Sequence, residues 1–322
     1  MTVSRRTLLK APAAAALAAG AARAEVYPSR PVRFLVGFGP GGAPDILARL
    51  IGNWLSDQLR QQFVIENRPG AGSNIAADAV AHSPPDGHTL LLTSMGNAVN
   101  ASLYGNLNYD FLRDLAPVAG ISREPLVVVV NLSFPARSMP EFMDYARRNP
   151  GRISYGSAGS GSSLHMVAEL LKMTTGLDLV HVPYRASAAA VSDLIGGQVQ
   201  TVFCPLPSSV EHVRAGVLRA LATTGAVRSQ ALPDVPTVGE FVPGFEGTAF
   251  YGVCAAGGTS PAIVDLLNAE INAGLADPGL KARLIELGSV PFLASPAEFG
   301  RYLAVETEKW SRVVSEARLR LE

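Results

Sequence analysis

The sequence predicts an α/β protein built from two similar units, and three observations predict it. Short apolar runs closed by glycine alternate with longer stretches whose apolar residues recur at helical spacing. This strand–loop–helix order appears before residue 100 and starts again after residue 126. Two apolar runs, 126–130 and 249–256, are placed to cross between the units. The composition agrees. With 48% apolar and 17% charged residues, the 322-residue chain can bury one large core or two ordinary ones and is not disordered.

In the first unit, 32–38 (VRFLVGF) reads as a buried strand. A helix follows over 44–61. Pro44 suits its first turn, and Ile46, Leu47, Leu50, Ile51, Trp54, Leu55 and Leu59 share one face. A strand at 63–66, a turn at 67–72, a short helix at 74–82 and a strand at 89–93 complete the unit. The second unit opens on LVVVV at 126–130, with a helix at 139–149 ended by Gly151. A strand at 153–156 runs into the loop 157–163 and a helix at 164–175. Strands at 179–182, 201–203 and 220–224 and a helix at 187–196 follow. After the apolar strand 250–256, helices at 261–276 and 298–319 are expected to fold back on the first unit.

The N-terminus has a charged start with Arg5-Arg6, an alanine-rich stretch, and Ala22-Arg23-Ala24 as a small-x-small cleavage site. This is an export leader over 1–24, and the paired arginines with Leu8, Leu9 and Lys10 fit the twin-arginine (Tat) route. The stretch is too short and too alanine-rich to anchor in a bilayer. The expected product is a soluble, exported protein, not membrane-embedded. The whole chain has 27 basic and 27 acidic residues. The leader holds four of the basic ones and no acid, so the remainder carries a net charge of −4. No basic surplus points to nucleic acid. Cys204 and Cys254 allow one bridge at most, and the apolar run around Cys254 favours a buried thiol. The five histidines have no metal-ligand spacing.

Two places carry the same pattern of strand, glycine-rich loop and helix: 37–43 (GFGPGGA) and 157–163 (SAGSGSS). Such loops present unpaired amides and a positive dipole end to an anion. Two of them facing across a cleft suit an elongated anion with a carboxylate at each end. A rival reading is a dinucleotide fingerprint. Gly37, Gly39 and Gly42 spell G-x-G-x-x-G, and Glu66 stands where a ribose-binding acid would. On that reading the chain is an exported oxidoreductase, but Pro40 stiffens the loop and Pro44 removes an amide. No G-x-S-x-G supports a hydrolase. Asp45 is either a partner of the helix dipole or a ligand contact. His165 is a hydrogen-bonding loop residue, a cleft residue or a base.

The segment 27–50 (YPSRPVRFLVGFGPGGAPDILARL) resembles the start of mature solute receptors of the tripartite tricarboxylate transporter group, the Bug-type receptors. The likeness continues through 64–92, 153–184 and 232–241 and in the Lys309-Trp310 region, so it covers nearly the whole mature chain. The resemblance implies a type II periplasmic binding protein fold, two α/β lobes joined by two crossing strands. Lobe 1 is then 25–125 with 249–322, and lobe 2 is 126–248. It also implies a non-enzymatic, monomeric periplasmic receptor without cofactor or metal. Its ligand is a small organic anion: a di- or tricarboxylate, an amino acid or an aromatic acid. Membrane transporter subunits or a sensor would receive that ligand. Carried onto this chain, the ligand residues are Phe38, Gly41, Gly42, Ala43 and Asp45 of the first loop and Ser94 and Asn97 after the third strand. The second loop gives Ser157, Ala158, Gly159, Ser162, Ser163 and His165, and the far wall Tyr184 and Cys204. There are departures. The first loop reads GPGGAPD where the family pattern is PAGGGTD, and Cys204 stands where the family often has an aspartate. Both changes bear on ligand preference.

Overall fold

A computed structural model describes residues 27–320, so the leader and its export route lie outside the described residues. Strand β1 (Val32–Val36) pairs in parallel with β2 (Phe63–Asn67) on one side and β3 (Thr89–Ser94) on the other. All of β3 is buried, as expected of an inner strand, parallel to β1 and antiparallel to the later strand Thr248–Ala256, that is covered on both faces. Phe34, Leu90 and Leu92 pack against α1 (Ala43–Leu59), through Leu47, Ile51 and Leu55. The alternate residues Leu35 and Leu91 pack on the opposite face, against α2 (Asn74–Ala81) and α3 (Met95–Leu103).

Strand β4 (Leu115–Asn131) then spans the molecule. The second half repeats the pattern: α4 (Met139–Arg148), β5 (Ile153–Ser157), α5 (Ser163–Thr175), β6 (Leu179–Pro183), α6 (Ser187–Ile195), β7 (Thr201–Pro205), α7 (Leu206–Arg214) and β8 (Leu218–Thr223). β5 lies parallel between β6 and β7, while β7 and β8 run antiparallel to β4. The chain returns through β9 (Thr248–Ala256) to α8 (Pro261–Ala276), α9 (Pro278–Glu286), the short β10 (Val290–Pro291) and α10 (Pro296–Glu316). The sheet order is β2-β1-β3-β9-β4-β7-β5-β6, with β8 and β10 also on β4.

Two strands carry the chain across. β4 pairs with β9 from Leu115 to Pro125 and with β7 from Leu126 to Val130. The apolar run LVVVV is thus only the last part of a longer strand. Its first part is broken by Pro117, Gly120, Arg123, Glu124 and Pro125, and its register with β9 shifts twice. The apolar periodicity predicts no helix at α3, α7 or α9. α7 and α9 carry proline in their first turns, and α3 (MGNAVNASL) is poor in strong helix formers. Helix α10 packs against α3, β4 and α5 and so binds both halves. Its Trp310 is fully buried and donates to Glu306 Oε2 at 2.8 Å. Cys204 and Cys254 are both buried and unpaired.

Candidate functional site

The second glycine-rich loop leads from β5 into α5. Gly161 takes a positive φ of 78°, a conformation open to glycine, and a Cβ there would stand 2.8 Å from Leu103 of α3. The loop therefore lies against the opposite half of the molecule. Ser162 caps α5, its Oγ accepting from the His165 amide at 3.4 Å. The Ser163 and Leu164 amides at the start of α5 have no helical partner.

Facing it is the start of α3. Ser94 and Asn97 form a reciprocal capping box, with the Ser94 amide donating to Asn97 Oδ1 at 3.0 Å. The box leaves the Met95 and Gly96 amides open. Between these two helix starts lies a cavity of about 400 Å³. Its walls are Phe38, Gly72, Ser94, Met95, Gly96, Asn100, Leu103 and Tyr104 from the first half. The second half gives Ala158 and Ser160 to Ser163, and the crossing strand β9 gives Ala249, Phe250 and Tyr251. Among the described residues no Lys, Arg, His, Asp or Glu lines it. A second depression, of about 450 Å³, follows Ala101 to Arg113 and has no glycine-rich loop on its wall.

The residues singled out in the sequence fall into two groups. Phe38, Ser94, Ala158, Ser162 and Ser163 line the cavity together. Gly41 and Gly42 form an exposed turn ahead of α1 and Ala43 is its exposed first residue, all three off the cavity wall. Asp45 is buried. Its oxygens accept from the Gly41 amide (2.9 Å), Asn67 Nδ2 (2.9 Å) and Arg49 (3.0 Å). The Arg49 hydrogen bonds above all hold its carboxyl down at about 2. Asp45 thus ties the first loop to α1 and β2. Asn97 is buried inside the capping box. Ser157 and Gly159 bond to one another behind the loop, the Gly159 amide donating to Ser157 Oγ at 3.1 Å. His165 is 2% exposed and lies behind the loop, not on the cavity wall. Tyr184 donates to Asp193 Oδ2 at 2.8 Å, which directs its hydroxyl to α6. Cys204 is sealed among Val127, Leu164 and Leu206, and burial pushes its thiol up to about 12. Of the stretch Ser94 to Asn97 expected to form cleft wall, Ser94, Met95 and Gly96 line the cavity, while Asn100 and Leu103 further along α3 were not singled out; the Ser94-x-x-Asn97 spacing is a helix-start signal that points to them.

The dinucleotide reading finds no support in the geometry. Glu66, the would-be ribose ligand, is held by Arg33 at 2.7 and 2.9 Å and by Arg68 at 3.1 Å. Pro44 lies in the first turn of α1 and takes an amide from its start. Among the described residues there is no group of three or more His, Cys, Asp or Glu placed to hold a metal. No described helix is long and apolar enough to cross a membrane.

Comparison with known proteins gives a consistent result. The profile of the tripartite tricarboxylate transporter family receptor matches residues 47–319. Protein BugT of Bordetella pertussis is 37% identical over 302 residues, covering 93% of this chain and 93% of that protein. Among solved structures, R. palustris Rpa4515 with adipate has a TM-score of 0.78 at 37% identity, covering 91% of this chain and 99% of that one. MatC of Rhodopseudomonas palustris with bound malate has a TM-score of 0.74 at 32% identity, covering 89% and 100%.

Proposed function

We propose a function on this premise: the chain belongs to the tripartite tricarboxylate transporter receptor family. It is a two-lobed solute receptor that binds a small carboxylate in the cavity between α3 and α5. The observation that carries this reading is the cavity wall itself. Two helix starts, one from each half, face the same space, and no cationic side chain lines it. A carboxylate held there is neutralised by amides and helix dipoles. Hydrogen bonds to a charged acceptor contribute roughly 1.5–3 kcal/mol each. A few of them reach micromolar binding, about −8 kcal/mol, once the costs of association are met. The rest of the wall includes Phe38, Met95, Leu103, Tyr104, Phe250 and Tyr251. That favours a dicarboxylate whose two charges are separated by an apolar chain over a hydroxylated tricarboxylate. Adipate, held by Rpa4515, is a dicarboxylate of this kind, and malate, held by MatC, is a shorter, hydroxylated dicarboxylate.

The lobes are 25–125 with 249–322, and 126–248. Ligand contacts to both lobes favour closure about β4 and β9. Within this reading the protein is exported to the periplasm through its leader, by the Tat route. There it acts as a monomer and delivers its ligand to membrane transporter subunits or a sensor. No covalent chemistry and no cofactor enter the mechanism.

The test is a thermal-shift screen of di-, tri- and aromatic carboxylates, amino acids and NAD(P), repeated on Ser160→Trp. Ser160 is exposed on the cavity wall, so the indole blocks the mouth without entering a core. A carboxylate should raise Tm in the wild type. In the variant its affinity should fall at least about tenfold, with the unliganded Tm unchanged. Equal affinity in the two proteins would move the site elsewhere.

A further inference from the structure

Behind the α5 loop two histidine rings stack, His165 on His181, with centroids 4.0 Å apart and planes 14° from parallel. Each holds one end of the loop. The Gly161 amide donates to His165 Nδ1 at 3.0 Å, and His181 Nε2 shares a 2.6 Å hydrogen bond with Ser157 Oγ. A ring nitrogen that accepts an amide proton carries none of its own, so His165 is the neutral tautomer protonated on Nε2.

The groups facing His165 do little to stabilise an imidazolium. Glu169, on its own helix, is 3.9 Å from Nε2, and its Oε1 already accepts from Lys172 Nζ and the Tyr155 hydroxyl. The Tyr155 ring of β5 lies 6.3 Å from His165 and 5.0 Å from His181 between centroids, and His181 approaches from β6. Burial, with His181 as the next cause, holds the His165 imidazole down at about 4. His181, half-buried on the edge strand β6, is also held below its ordinary value by burial. It gives solvent protons a route to the pair.

We propose that His165 is a positioning residue that fixes the ligand loop through Gly161, and that proton uptake by the His165–His181 pair releases the loop in acid. Protonated Nδ1 is a donor facing a donor, so the Gly161 hydrogen bond cannot survive. Gly161 lines the cavity between Ser160 and Ser162, so its release misplaces the amides on that wall. Acid would then loosen ligand as well as loop. This inference rests on the reading of the α5 loop as one wall of the ligand cleft.

The experiment follows Gly161 itself by amide hydrogen exchange in the full mature protein, for wild type, His165→Asn and His165→Phe. Asn supplies an oxygen acceptor that does not titrate, and Phe supplies none. Above the pKa of a group, its protonated fraction changes tenfold per pH unit. Gly161 protection in the wild type should therefore fall about tenfold per unit between pH 7 and pH 5. His165→Asn should keep protection without that slope, and His165→Phe should lose it at every pH. The same slope in His165→Asn, or an unprotected Gly161 amide in the wild type at pH 7, overturns the proposal. Nitrogen chemical shifts of the wild-type ring give a check that needs no variant. Nδ1 should be unprotonated at pH 7, and a proton found there overturns the proposal too. With adipate as the probe, affinity should weaken from pH 7 to pH 5 in the wild type and stay level in His165→Asn. The wild-type exchange slope together with no measurable binding of adipate or any other carboxylate supports the role of His165 and sinks the receptor reading.

Discussion

Asp45 shows what a sequence can leave undecided at a single residue. Its place in the first turn of a helix allowed a dipole partner or a ligand contact, and spacing alone does not separate them. Its four donors lie on α1, on the loop before it and on β2, and only the folded chain brings them together. Asp45→Ala removes the acceptor they share, leaving Asn67 only the Phe38 carbonyl, and should destabilise the protein by about 1–3 kcal/mol, read by urea unfolding. Because its carboxyl is depressed in the folded state, the stability from ionised Asp45 is present above about 3.8. It is lost as pH falls towards about 2. Gly37 is a second case. A Cβ there would overlap Ser73, 1.9 Å from Oγ and 2.6 Å from the backbone Cα, so the glycine allows the first loop to meet α2. The sequence pattern marks it as the first glycine of the loop and of the G-x-G-x-x-G spelling. Its reason is a contact 36 positions away in the chain.

At the scale of elements, the parallel strands and the helices with a clear apolar stripe were legible. They were legible because each is buried in one simple pattern: β3 throughout, α1 along one face. The crossing strand was not, since β4 passes from one core to another and its surroundings change along its length. Glu124 sits at that passage, in register with Ala249 of β9 and accepting from Ser289 Oγ at 2.9 Å. Burial raises its carboxyl to about 7. The folded state therefore favours the protonated form. Its contribution to stability is full below about 4.5 and is lost as pH rises through about 7. Glu124→Gln, which cannot ionise, should match the wild-type Tm at pH 4.5 and exceed it by roughly 3 °C at pH 8. An equal gain at both pH values would mean that charge at the crossing is not the cause. Helix α10 bears on the same joint. Trp310→Ala removes its fully buried anchor and should cost about 3–5 kcal/mol, measured by chemical unfolding.

Over the whole molecule, the repeated strand–loop–helix order foretold two α/β units, and the family resemblance gave their arrangement. The cavity was only half legible. The α5 wall was visible as a glycine-serine loop and the α3 wall only at its start, Ser94 to Asn97, while Asn100 and Leu103 lie in a helix that composition disfavours. The charge balance bears on mechanism here. Residues 25–322 carry a net charge of −4 and do not attract an anion by their overall field, so binding must come from local amides and dipoles. Affinity for a carboxylate should therefore change less than about threefold between 0.05 and 0.5 M salt. A steep fall in affinity with salt would point to a cationic side chain in the site.

The most direct measurement is a calorimetric titration of the mature protein with adipate, malate, citrate, benzoate and NAD. A 1:1 micromolar complex with a dicarboxylate, weaker binding of citrate and none of NAD is the expected result. Binding of NAD with no response to any carboxylate would contradict the receptor reading outright.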